Sequence, residues 1–123
     1  MKTLLLDIET APNKAYVWGL FDQNIALNQL EASSYILCWS AKWLGEEGIT
    51  FRKVQRRTQK REMRSMLLRM RALLNEADVV IHFNGSKFDI PTLQKEMLRL
   101  RIAPPAPFKQ IDLYLVARKT FRF

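Results

Sequence analysis

Residues 4–10, Leu-Leu-Leu-Asp-Ile-Glu-Thr, constrain the fold more than any other stretch of the chain. A run this apolar reads as a buried strand. Side chains alternate along a strand, so Asp7 and Glu9 share a face with Thr3 and Leu5, while Leu4, Leu6 and Ile8 point the other way. Two carboxylates side by side on a central strand repel each other and are costly to desolvate. Three arrangements relieve that cost: a strand end that emerges into water, a basic partner, or a bound divalent cation.

The remaining pattern predicts an α/β fold. Residues 2–8 are the first strand, followed by a loop with short turn or helical pieces to about residue 33. Residues 35–44, YILCWSAKWL, are apolar on both faces and predict a central strand; residues 49–54 alternate after a Gly-Glu-Glu-Gly turn and predict its hairpin partner. Met63, Met66, Leu67, Met70, Leu73, Leu74 and Ala77 then recur at helical spacing, predicting a helix over 59–77 with Thr58 as its N-cap. A short strand at 78–83 follows. Pro91 fits the first turn of a second helix whose buried stripe is Leu93, Met97 and Leu100. Pro104-Pro105-Ala106-Pro107 is a stiff loop, 109–113 a brief strand, and 113–121 a third helix. The order β-β-β-α-β-α-β-α predicts three antiparallel strands and then parallel β-α-β units, a mixed sheet flanked by helices. The 123 residues suffice for one domain with a modest core.

Asp89 changes the weight of the first carboxylates. It ends HFNGSKFD, residues 82–89, between the second apolar strand and the helix near Pro91. If the two strands are parallel neighbours, Asp89 lies at the edge toward which Asp7 and Glu9 point. Taken alone, it is also a residue that a helix N-terminus favours. Three acids at one edge suit magnesium or manganese, which take oxygen ligands. Two such ions about 4 Å apart can activate water and stabilise the leaving oxygen of a phosphodiester.

The charge points the same way. The formal net charge is +8, and residues 52–71 hold nine basic residues and one acid. Such a cluster is either a solvated helix face or a contact for a polyanion, nucleic acid above all. The single cysteine, Cys38, excludes an intrachain disulfide and reads as a small buried hydrophobe. His82, the only histidine, reads as packed or hydrogen-bonded, and Asp112 as structural or peripheral to the acid edge. Tyr16, Trp18 and Phe21 fall in the irregular segment, either stacking on bases of a frayed strand end or forming a small core under the loop. No apolar run is long enough for a membrane span, and the acids near the N-terminus are unlike a signal peptide, so a cytoplasmic protein is expected.

Asp7-Ile8-Glu9-Thr10 and Asn84-Gly85-Ser86-Lys87-Phe88-Asp89 resemble the first and second motifs of the ribonuclease H-like 3′–5′ exonucleases with a DEDD metal site. The stretches AYVWGLFDQNIALNQ and FNGSKFDIPTL are most similar to the phage and bacterial branch related to polymerase-B proofreading domains. The resemblance implies a ribonuclease H-like fold and two divalent cations, Mg2+ or Mn2+, held by Asp7, Glu9 and Asp89. It implies that Thr10 lies near the 3′-terminal nucleotide and that Asn84 braces the substrate side. Arg57, Arg61 and Arg64 are candidate contacts to the strand. The expected partner is DNA with a free 3′ end, with a polymerase or replication partner by analogy only, in a host cytoplasm if the chain is phage-encoded.

The family's third motif, a tyrosine or histidine followed by a fourth acid on a C-terminal helix, has no match: the fourth residue after Tyr114 is Arg118. Residues 1–123 are therefore expected to be a single exonuclease domain without that helix, and Phe121 and Phe123, with no following element to cover them, are expected to pack back onto the sheet or bind another chain. Two rival readings are a non-catalytic nucleic-acid-binding module and a ribonuclease H-type endonuclease.

Overall fold

The computed structural model describes residues 1–55 and 60–121. Thr58 as an N-cap, Arg57 as a strand contact and Phe123 lie outside them. Five strands form the main sheet: β1 (Thr3–Thr10), β4 (Ile36–Trp43), β5 (Thr50–Lys53), β6 (Val79–His82) and β7 (Lys109–Asp112). Their order is β5-β4-β1-β6-β7. The pairs β5–β4 and β4–β1 are antiparallel, and β1–β6 and β6–β7 are parallel. The helices are α1 (Lys60–Glu76), α2 (Asp89–Arg99) and α3 (Leu113–Phe121). This is the mixed α/β sheet that the sequence pattern predicts.

Register sorts the strands into two faces. Leu4, Leu6 and Ile8 pair with Trp43, Ala41 and Trp39, and all but the partly buried Trp43 belong to the buried core. The apolar stripe of α1 closes over them with Met63, Met66, Leu67, Met70, Leu73 and Leu74, and α2 adds Ile90, Leu93 and Met97. Each fully buried large side chain contributes about 1.5–3 kcal/mol. Trp39 is fully buried, and its indole Nε1–H donates to the Met66 carbonyl at 3.1 Å, so its one polar atom is satisfied.

The opposite face carries Leu5, Asp7 and Glu9 from β1 beside Lys42, Ser40 and Cys38 from β4. It is open among the described residues: a groove of about 510 Å³ runs over Leu5, Ile49, Ile81, Phe83 and Leu113, with Asp7 at its lip.

Three expectations change. The segment after β1 is not merely a loop: β2 (Lys14–Ala15) and β3 (Leu30–Ala32) pair as a small antiparallel ribbon. Its rungs are too few to leave an alternating pattern. β1 runs on to Thr10, because β4 continues to pair with it across an irregularity between Glu9 and Thr10. Both acids therefore stand within the strand and not past its end. Cys38 is only partly buried, since it lies on the open face opposite Glu9.

Candidate functional site

The site begins where one ladder stops. β1 and β6 pair from Thr3↔Val79 to Leu5↔Ile81 and no further. Beyond that point the β6-side donors of β1 lack a strand partner. Asp89 fills the gap: its Oδ2 accepts the Ile8 N–H at 3.3 Å. Ile8 sits between Asp7 and Glu9, so the carboxylate from the start of α2 meets the acid strand at the predicted edge. Asp89 is 4% exposed. Burial, and next the negative charge of Asp7, push its carboxyl up to about 6, against the pull of the Ile8 N–H.

Glu9 lies one step along the same face, opposite Cys38. The Cys38 thiol is pushed up by burial and then by the charges of Glu9 and Asp7, which puts both acids near it. Asp7 is thus the shared neighbour, close to Asp89 on one side and to Glu9 and Cys38 on the other. Among the described residues no group of three His, Cys, Asp or Glu side chains is gathered tightly enough to hold a metal ion. The donors are all hard carboxylate oxygens, and the Asp7–Asp89 repulsion has no basic residue to relieve it through an ion pair among the described residues. That donor set fits a hydrated hard cation that uses few protein carboxylates, and does not fit a closed cage.

The turn that delivers Asp89 is built on a second acid. Asn84 has φ 58°, a left-handed conformation that asparagine tolerates better than most residues. Asp112, from the end of β7, accepts the Asn84 N–H at 2.7 Å, the Tyr114 N–H at 3.0 Å and the Ser86 hydroxyl. Burial opposes its charge, but the Ser86 hydroxyl and the backbone amides outweigh it and hold the carboxyl below its usual range. His82 is buried, as expected. Its Nδ1 accepts the Gly85 N–H at 3.0 Å, so Nε2 carries the proton and donates to Gln110 Oε1 at 2.8 Å, an assignment made from the hydrogen-bond network. A Cβ at Gly85 would stand 2.3 Å from His82 Cγ, so only glycine lets the turn close on the ring.

The basic residues divide. Arg64 Nη1 donates to the Leu100 carbonyl at 2.5 Å and Arg71 Nε to Ala103 at 2.7 Å, so both guanidinium groups hold the chain just after α2. That engages Arg64, expected as a strand contact, in a structural bond. Arg61 is exposed and lines a groove between β5 and α1. Thr10 is half-buried at the end of β1, and Asn84 is half-buried on the turn. Tyr16, Trp18 and Phe21 are 70%, 97% and 88% exposed, so no small core forms under their loop.

Asp112 is structural, as expected, and Asn84-Gly85 forms the tight exit that the sequence suggests; sequence reasoning missed Ser86 and which groups Asp112 holds. The Asn-Gly-Ser run signals a tight turn. Nothing local signals that its hydrogen-bond acceptor lies 28 residues on.

Asp7 and Asp89 thus stand together at one edge of a mixed α/β sheet. A family model described as the RNase H superfamily matches residues 4–122, and the chain belongs to that superfamily. Hydrolysis of nucleic acid is the activity class this membership suggests. Among solved structures, the fold is similar to part of the family B DNA polymerase from the hyperthermophilic archaeon Pyrobaculum calidifontis, with a TM-score of 0.64 and 15% identity over 96% of this chain. The chain spans 16% of that polymerase, and at this identity the likeness shows the fold alone. No curated protein matches the chain. No helix among the described residues is long and apolar enough to cross a membrane.

Proposed function

We propose that this chain is a metal-dependent nuclease that removes nucleotides from the 3′ ends of single-stranded or frayed DNA, within the DEDD branch of its superfamily. One observation carries the reading: Asp89 is delivered to the Ile8 N–H beside Asp7, and burial, with the negative charge of Asp7 next, raises the Asp89 carboxyl to about 6. Magnesium or manganese held by Asp7, Glu9 and Asp89 would supply a Lewis acid and an activated water at the scissile phosphate. The chain's own part is to hold those oxygens. The Ile8 N–H fixes one Asp89 oxygen, and the turn anchored on Asp112 fixes where α2 starts. In the same reading Thr10 meets the terminal nucleotide, Asn84 braces the substrate side, and Arg57 and Arg61 meet the strand.

The specific rival is a binding module without catalysis. It is favoured by the lack of a three-ligand group among the described residues and by an α3 that carries no acid. One assay separates the readings. Single strands labelled at the 3′ or the 5′ end are incubated with Mg2+ or Mn2+, beside Asp7→Ala and Glu9→Ala variants. A ladder that shortens from the 3′ end and is lost in both variants supports the proposal. Binding without cleavage supports the module, and internal cuts support an endonuclease.

A further inference from the structure

Across the sheet from the acids lies a groove of about 750 Å³ between β5 and α1, lined by Arg52, Lys53, Lys60, Arg61, Glu62 and Met66. Four of these side chains are cationic. None of the four forms an ion pair among the described residues. Glu62, the one acid, instead accepts the Gln55 N–H at 2.9 Å. Lys60 and Arg61 also stand in the first described turn of a 17-residue helix, where the macrodipole adds positive potential to theirs. Cations gathered there destabilise one another and the helix unless an anion joins them.

Register ties this groove to the acid edge. Ile8, which meets Asp89, pairs with Trp39, and Trp39 pairs with Arg52. Glu9 pairs with Cys38, and Cys38 pairs with Lys53. Lys53 is thus two strands from Glu9 in its row and on its face, a backbone separation of about 10 Å, while Arg52 stands in the row of Ile8 on the face toward α1. β5 and β1 run in the same direction, because each is antiparallel to β4, so both present their C-terminal ends here.

We infer that the groove of Arg52, Lys53, Lys60 and Arg61 is the track for the sugar-phosphate backbone of a single strand, upstream of the nucleotide that reaches Asp7 and Asp89. The inference rests on the nuclease reading for its substrate, but its test does not need cleavage. Binding of a fluorescein-labelled oligothymidylate to the full chain is measured in EDTA from 50 to 200 mM salt. It is repeated with the triple variant Lys53→Gln, Lys60→Gln, Arg61→Gln and with a charge-matched triple, Lys95→Gln, Arg118→Gln, Lys119→Gln. Each phosphate contact on a single strand contributes about −0.7 to the slope of log K against log salt. The groove triple should flatten that slope by about 2 and weaken binding at 50 mM salt at least 30-fold; the matched triple should change the slope by less than about 0.7. Circular dichroism checks that both triples are folded, and single Lys53→Gln and Arg61→Gln variants, each flattening the slope by about 0.7, replace a triple that is not. Equal slopes in the two triples would overturn the track, as would groove variants that lose binding to a polyglutamate peptide but not to DNA. If the wild type binds as described yet cleaves nothing, the track stands and the nuclease reading falls. If it cleaves while the groove variants bind unchanged, the reverse holds.

Discussion

Asp89 and Asp112 flank one turn and are both buried, yet the surroundings push their carboxyls in opposite directions. Asp112 receives the backbone amides of Asn84, Ser86 and Tyr114 and the Ser86 hydroxyl, which outweigh its burial, so its carboxyl sits low. Asp89 is buried facing Asp7, which the Ile8 N–H and its own backbone amide do not offset, and its carboxyl sits near 6. The difference separates two uses of a buried acid. One holds the fold by accepting hydrogen bonds; the other carries a charge that burial and Asp7 disfavour.

The largest effect expected from this contrast is on catalysis. Asp89→Asn and Asp7→Ala should each lower cleavage of a 3′-ended strand by about 10³-fold or more, whereas Asp112→Asn, assayed where it is folded, should retain measurable cleavage. Steady-state rates with labelled oligonucleotides check this. Equal losses from Asp89→Asn and Asp112→Asn would break the contrast.

Stability should reverse the order. Asp112→Asn turns an amide toward donors that need an acceptor and should cost about 2–4 kcal/mol in urea unfolding at pH 7. Asp89→Asn should stabilise the metal-free protein at pH 8 by about 1–3 kcal/mol, because it removes a charge that burial and Asp7 oppose. The sign in pH follows. The folded Asp89 carboxyl binds its proton more tightly than the unfolded one, so stability falls as pH rises from about 4 through about 6. The Asp112 contribution is present above the unfolded value and is lost as pH falls through its lower folded value. Urea midpoints taken across pH 3–8 in EDTA should therefore peak on the acid side of neutrality and lose their decline above pH 5 in Asp89→Asn. The smallest effect is Ser86→Ala, which takes one donor from Asp112 and should cost about 1 kcal/mol.

The five strands of the main sheet, the helices and the acid pair were legible because each rests on local periodicity, which the short β2–β3 ribbon lacks. Leu4, Leu6 and Ile8 alternate with the acids, and the Met63–Leu74 stripe repeats at helical spacing, so burial on one side had to follow. What was not legible depends on partners far along the chain. Arg64 and Arg71 hold carbonyls 36 and 32 residues away, and no sequence rule distinguishes them from the solvated arginines beside them. Glu96 is fully buried beside Arg99, which reaches it at 2.6 Å, a contact that helical spacing permits but does not require. At the candidate site, the expected meeting of Asp89 with the strand of Asp7 and Glu9 is seen in the Ile8 N–H bond. The hydrogen bonds that make one acid structural and leave the other exposed to Asp7 became visible only in three dimensions.

The most direct test is the titration of the Asp89 side-chain carbonyl carbon by NMR, with and without Mg2+. In EDTA the Asp89 resonance should titrate near pH 6, fall toward the ordinary carboxylate range in Asp7→Asn, and fall likewise in the wild type when Mg2+ is added. A resonance that titrates near 4 in every sample and does not respond to the ion would mean that Asp7 and Asp89 do not form a cation site.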